Sequence, residues 1–457
     1  MKKRSISLLA GAAAGTLSLG IACAGWADDE TRAKDPGVRG GAPGAGTPIK
    51  GLSTLEAKYF NDGQAKFLTV DRAPDGLGPR FNLNQCAGCH VQPAVGGTSP
   101  TVNPQIAVST LLGANNHVPL FISPTGAVTE ARFKFQAVGA AGHSNVPDGG
   151  VHSLFVIAGR SDVPKGCSIK QEDFNDQFRN GNVSLRIPTP VFGGGLIGAI
   201  PDRTILANQA ANASAKAALG ISGFPNRSGN DGTITRFGWK AQNKSLLMFS
   251  GEAYNVEMGV SNDLFLQKRD ETPGCQTTNT PNDSITASNN TDPEADDVEL
   301  FAAFMNFLDQ PVASTTVPGG ATSIKNGMAA FTAVGCAMCH QPSLTTSSIA
   351  QSPALTNINA NLFSDLLVHH MGPHLADDIT QGLALGDEFR TAPLWGVGQR
   401  VFFLHDGRTN DLVQAILNHA SAGNERYGPS EANAVIAKFS ALPASSQQDV
   451  LNFLRSL

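Results

Sequence analysis

Two five-residue runs carry the most specific chemistry in this 457-residue chain: Cys86-Ala87-Gly88-Cys89-His90 and Cys336-Ala337-Met338-Cys339-His340. Two thiols separated by two residues are spaced to bond both vinyl groups of one haem, and a histidine directly after the second thiol reaches the iron. The chain holds 7 cysteines and 10 histidines, so chance supplies only about 0.002 such runs. The competing reading is a single zinc ion shared by two Cys-x-x-Cys pairs. The histidine attached to each run and the export signal favour two covalently bound haem c groups. Cys86 and Cys89 would hold one, Cys336 and Cys339 the other, with His90 and His340 as proximal ligands.

The export signal is read from the first residues. Lys2, Lys3 and Arg4 precede an apolar, small-residue run from Ile6 to about Ala24, and Gly25-Trp26-Ala27 offers a cleavage site. Residues 1–27 are therefore expected to be a cleaved signal peptide and the periplasm the location. A retained anchor is the alternative, as is lipid attachment at Cys23, although Gly20 stands where a lipoprotein signal usually has Leu. No later stretch has eighteen uninterrupted apolar residues, so stable membrane insertion is not expected. Roughly 430 residues remain, enough for two or three domains. A net charge of −5 without basic blocks excludes nucleic acid as a partner. Cys167 and Cys275 are left over as an even pair in an exported chain, which predicts a disulfide between them.

The elements that must position these residues read as follows. Residues 28–50, rich in Gly and Pro, are a flexible lead-in. Ser53-Thr54-Leu55-Glu56 is a capping box that starts a helix. A partly β, loop-rich insertion spans about 103–235: Phe133–Val138 alternates, Ser153–Ala158 is an apolar run, and Gly193-Gly194-Gly195 marks a tight turn. A polar excursion covers 269–297. Val298–Leu308 is apolar at helical spacing and ends at Gln310-Pro311. Residues 320–457 read as a compact helical unit with a last amphipathic helix near Ser445–Leu457. Gly327 and Phe331 precede the second Cys run as Gly63 and Phe67 precede the first. The predicted fold is mainly α, with two class-I-cytochrome-c-like haem domains: an N-terminal one over 51–310 carrying the insertion, and a C-terminal one over 320–457.

Several motifs then carry a resemblance. Asp75-Gly76-Leu77-Gly78-Pro79-Arg80-Phe81-Asn82 and Val91–Gly97 flank the first run. Phe237-Gly238-Trp239-Lys240-Ala241-Gln242, Glu257-Met258-Gly259-Val260, the run from Asp365 to Asp377, Phe389–Gly398 and His405-Asp406-Gly407-Arg408 follow. In these the chain resembles the dihaem oxidoreductase family, also called thiol oxidoreductases, across nearly all of its mature length. It is more distantly similar to bacterial dihaem cytochrome c peroxidases and to the dihaem enzyme that matures methylamine dehydrogenase. The thiol label has no residue behind it, since Cys167 and Cys275 do not form a Cys-x-x-Cys pair.

The resemblance implies a peroxidase-like enzyme. Electrons from a small redox protein would enter at the C-terminal haem, and peroxide or another small oxidant would react at the N-terminal haem. It implies Glu257 as the acid–base group on the open side of that haem, where a carboxyl can move a proton between peroxide oxygens. The bland alternative is a helix-end glutamate, with Met258 in the core or as an axial ligand. Trp239 would relay electrons between the haems, or simply fill core; the glutamine that the peroxidases carry in this segment is not evident. On the helix begun by Asp411, His419 stands where the peroxidases have an axial Met, which makes it the expected sixth ligand of the second iron, with Met371 as runner-up. His369 and His405 are expected to bond a haem propionate or backbone, and His370 and His374 to lie at the surface. His117, His143 and His152 are the insertion's own ligand candidates for a closed first haem. The distant peroxidases also hold calcium, by backbone carbonyls and water that leave no sequence signature. Two other functions stay open: a pure electron-transfer dihaem cytochrome with no reactive haem, and a haem-dependent oxygenase of an organic substrate.

Overall fold

Ser53 Oγ accepts the Glu56 N–H at 3.3 Å and Glu56 Oε2 accepts the Ser53 N–H at 2.7 Å, so the capping box closes and Thr54–Phe67 is helical. This computed structural model describes residues 32–138, 142–285 and 295–457, and 33–457 form one unit. The expected signal peptide, Cys23 and part of the polar excursion lie outside the described residues.

The Thr54–Phe67 helix packs on Asp297–Phe307, itself started by a capping box at Asp296 and Glu299. At Gly63 a Cβ would stand 2.1 Å from the Leu300 carbonyl oxygen. Only glycine lets the two backbones come this close. One turn later, Phe67 packs on Phe301 and Phe304, with ring centres 6.2 and 5.0 Å away, and on the His90 ring at 6.0 Å. The C-terminal half repeats the device. Gly320–Val334 packs on Ala444–Ser456, a Cβ on Gly327 would meet the Asp449 carbonyl oxygen at 1.9 Å, and Phe331 lies 5.4 Å from Phe453 and 6.3 Å from His340. The Gly–Phe echo in the sequence is thus a packing rule. The glycine admits a crossing helix, and the phenylalanine wedges that helix against the histidine.

In the chain the insertion lies between the two helices of the first pair. Glu130–Phe133 is the centre of a three-stranded antiparallel sheet between Val151–His152 and Val183–Arg186, with Glu130 opposite Arg186. Period two puts Ala131 and Phe133 on the fully buried core side and Glu130 and Arg132 on the other. The strand expected over Phe133–Val138 breaks at Lys134, after which Phe135–Ala137 pairs with His143–Pro147. The glycine run is not a free turn either. Gly193, at φ +63°, opens the helix Gly194–Ala199, and Gly195 sits where a Cβ would meet the Asn306 carbonyl at 1.9 Å.

Fourteen helices and five small sheets make the described chain mixed α/β rather than mainly α. The C-terminal stretch is not all helical, because Val368–His370 pairs with Glu388–Arg390, and Leu344–Thr345 with Asn359–Ala360. The lead-in is tied down as well. Asp35 accepts two bonds from buried Arg455, at 2.7 and 2.5 Å, and the Leu412 N–H at 2.8 Å, while Arg39 N–H reaches the Gly398 carbonyl. A buried guanidinium needs a carboxylate partner, and the lead-in supplies it. Cys167 and Cys275 are bridged, with S–S 2.11 Å, and pin the polar excursion to the insertion. Closing a loop of 108 residues stabilises the fold by roughly 4–5 kcal/mol in the chain-entropy model. No described helix is long and apolar enough to cross a membrane.

Candidate functional site

Each Cys-x-x-Cys-His run lies at the wall of its own cavity. The N-terminal cavity holds about 1160 Å³ of non-atom space, open solvent included, and the C-terminal one about 1400 Å³. Residues 86–89 form one helical turn, and the His90 N–H bonds back to the Cys86 carbonyl; His340 does the same to Cys336. His90 Nδ1 lies 3.1 Å from the Gly97 carbonyl oxygen and His340 Nδ1 lies 3.0 Å from that of Phe363. A carbonyl only accepts, so Nδ1 carries the proton in both rings and Nε2 keeps its lone pair. Burial pushes both imidazoles down to about 4, so they are neutral. A neutral ring fixed by a carbonyl on Nδ1 is the form in which histidine binds a metal through Nε2. Cys86, Cys89, Cys336 and Cys339 are unbridged. The donor set at each cavity therefore fits a covalently held haem.

The remaining walls of the two cavities differ. In the C-terminal one His419 follows the short helix Leu412–Leu417, its Nδ1 bonded to the Ala415 carbonyl at 2.8 Å, which again leaves Nε2 free. Its ring centre lies 6.5 Å from that of His340. An ion bonded to both rings at roughly 2 Å, each centre about 1 Å behind its nitrogen, separates the centres by about 6 Å. Met371 lines this cavity too, as do His369 and His405. Both nitrogens of His369 are engaged, by Asp365 at 3.0 Å and Glu431 at 2.7 Å, and His405 stacks on Phe389 at 4.2 Å. His370 is half exposed, between Asp387 and Glu388.

In the N-terminal cavity the only lining histidine among the described residues is His90. His152 is held by Asp148 and Glu172 and stacks on Phe133, and neither it, His117 nor His143 reaches the cavity wall. Glu257, in the last turn of the helix Leu246–Met258, faces the cavity instead. Its carboxyl bonds that of Glu130 and accepts a bond from Asn82 Nδ2 at 3.4 Å. Burial and the charge of Glu130 push Glu257 well above the usual carboxylate range. Burial also raises Glu130, but the charge of Arg132, whose Nε donates to it at 2.7 Å, together with the bond to Glu257 and the charge of Arg186, holds it low. The two carboxyls thus share one proton, and it resides on Glu257. Glu130 and Arg132 carry no motif and were not read from the sequence. The one signal was the alternation of the strand they sit on.

Trp239 is buried and lines both cavities. Its indole Nε1 donates to the Ile187 carbonyl at 3.0 Å. The next residue, Lys240, is fixed against Asp377 at 3.1 Å, which also binds Arg186 at 2.5 Å. Gln242, from the same segment, lines the N-terminal cavity with its Oε1 buried and unpartnered.

Residues 147–457 match the family model described as "Di-haem oxidoreductase, putative peroxidase". The chain belongs to this di-haem oxidoreductase family. Membership implies haem as the cofactor of this di-haem oxidoreductase, and its two cavities with their Cys-x-x-Cys-His walls meet the requirement for two. No curated protein matches it in sequence. Solved structures similar to it include a hydrazine synthase of Kuenenia stuttgartiensis, at 13% identity over 100% of both chains with a TM-score of 0.35. Another is a MauG-like protein associated with microbial copper homeostasis, at 16% identity over 59% of this chain and 90% of that one, with a TM-score of 0.29. Both scores are too low to carry fold or function across.

Proposed function

We propose that this di-haem oxidoreductase is a periplasmic c-type enzyme that takes electrons from a small redox protein at its C-terminal haem and reduces a peroxide at its N-terminal haem. Reduction of hydrogen peroxide takes up two electrons and two protons and releases two waters; an organic hydroperoxide would release one water and one alcohol. The haems, when bound, supply the redox-active irons; all other work falls to the chain. Cys86, Cys89, Cys336 and Cys339 hold the macrocycles by thioether bonds, and His90 and His340 bind from the carbonyl-fixed side. His419 closes the second site, which leaves it suited to passing electrons. A bis-histidine iron sits at lower potential than a His/Met one, so the donor must be of matching potential.

At the first site Glu257 presents an acidic proton to the cavity and Glu130 a carboxylate that can receive one. A peroxide bound there loses a proton to the pair and regains it on the departing oxygen. Trp239, in the wall of both cavities, offers an aromatic stepping stone between them. The Cys167–Cys275 disulfide and the signal-like first residues support export to an oxidising compartment.

The observation that carries this reading is the asymmetry of the cavity walls: a histidine 6.5 Å from His340 in one, and a bonded carboxyl pair, Glu257 and Glu130, in the other. Steady-state turnover with peroxide and an artificial electron donor tests it. Donor oxidation dependent on peroxide is expected. Electron exchange with donors but none with peroxide would leave a plain electron-transfer cytochrome.

A further inference from the structure

Two arginines at the C-terminal cavity lack a counter-charge. Arg390 ends the strand Glu388–Arg390, and Arg400 follows the turn Val397–Gln399; each is only 6% exposed. Arg390 spends Nε on the Gly238 carbonyl at 3.0 Å, and its Nη1 is buried with no partner. Burial, joined by the repelling charge of Arg400 and only partly offset by the attraction of Asp365, brings it down to about 10. On Arg400 burial acts alone, to the same effect. Neither guanidinium forms an ion pair with a carboxylate among the described residues. Other buried arginines of the fold do: Arg455 has Asp35, Arg186 has Asp377 and Arg160 has Asp162. Two like charges buried side by side cost several kcal/mol each unless an anion joins them.

Their position says which anion. Both line the C-terminal cavity and also a smaller hollow of about 550 Å³ shared with Trp239, Thr189 and Val191, which in turn line the N-terminal cavity. The haem of the proposed function brings two carboxylates, its propionates. We infer that Arg390 and Arg400 are the anion-binding end of the C-terminal cavity and take the propionate carboxylates of the haem held there, through charge-assisted N–H···O bonds. The acidic edge of that haem then lies on the Trp239 side, facing the other cavity, and the two cations raise its reduction potential by disfavouring the ferric charge.

This inference rests on the haem reading, and the test keeps the two apart. Protein mass and the pyridine haemochrome spectrum first count covalent haems in wild type and in Arg400→Gln; absence of haem from wild type refutes the underlying reading alone. With haems in place, spectroelectrochemical titration should show the midpoint of the low-spin C-terminal haem lowered in Arg400→Gln by at least a tenfold change in the reduction equilibrium, 59 mV for one electron. The N-terminal haem should move much less. Arg400→Lys, which keeps the charge, should restore most of the shift. Arg390→Gln should act in the same direction and serves if Arg400→Gln does not fold. Resonance Raman propionate-bending bands should move in the glutamine variants. Unchanged midpoint and propionate bands, or equal shifts at both haems, would overturn the inference. So would a wild-type midpoint that tracks added chloride or phosphate while the propionate bands stay put, since the arginines would then be holding a free anion.

Discussion

The two cavities are built alike around His90 and His340 and differently in the rest of their walls. Behind each, a glycine and a phenylalanine one turn apart seat a helix pair, and a backbone carbonyl at 3.1 or 3.0 Å fixes the imidazole. In the rest of the wall, one cavity has His419 and the other has Glu257 with Glu130. In the proposed function the shared part holds the cofactor, and it can be duplicated without deciding any chemistry. The unshared part decides it, because an occupied sixth position suits electron transfer and an open one beside a proton donor suits reaction.

The comparison breaks most sharply at Glu257. Glu257→Gln removes the proton from the reactive wall, and the rate of reaction with peroxide should fall roughly 10²- to 10⁴-fold with both haems still attached. Stopped-flow mixing measures this, and an unchanged rate would remove Glu257 from the mechanism. A smaller effect is expected from Glu130→Gln. Without the Glu130 charge Glu257 gives up its proton more readily, so the alkaline limb of the pH–rate profile should move to lower pH. The sign follows from the protonation states. Glu257 serves as the neutral acid below its raised value, and activity is lost as pH rises through it.

The same proton couples to stability. The native state holds it where the unfolded chain, with an ordinary carboxylate, has lost it. Stability should therefore decline as pH rises from the ordinary carboxylate range toward the raised value. Glu257→Gln should flatten that slope in thermal melts across pH.

The smallest change tests the shared part. Gly63→Ala and Gly327→Ala each force a methyl against a carbonyl of the crossing helix and should cost about 1–3 kcal/mol. Each should also perturb the visible spectrum of its own haem and leave the other as it was. If both substitutions disturb both spectra equally, the two halves are not independent cofactor frames.

How much of this could be read from the residues depends on how local the cause is. The Ser53 box, the Gly–Phe echo and the Cys-x-x-Cys-His runs act within a few positions, and their spacing is visible in the chain. The pairing of Cys167 with Cys275 followed from counting. Glu130 and Arg132 were hidden because an antiparallel sheet brings an insertion strand to a helix far away in sequence. Arg390 and Arg400 look like ordinary surface arginines until burial is known. The lead-in misled for the same reason: its glycines suggest freedom, while Asp35, engaged by Arg455, and the Arg39 N–H on the Gly398 carbonyl anchor it. The mixed α/β character was missed in the C-terminal stretch because Val368–His370 and Glu388–Arg390 are too short to show a period.

The most direct test of the central claim is the EPR spectrum of the oxidised protein, recorded beside its visible spectrum. The account expects one low-spin bis-histidine signal and one high-spin signal per chain, with the low-spin signal lost in His419→Ala. Two low-spin signals, or a low-spin signal that survives His419→Ala, would contradict the division of labour between the cavities.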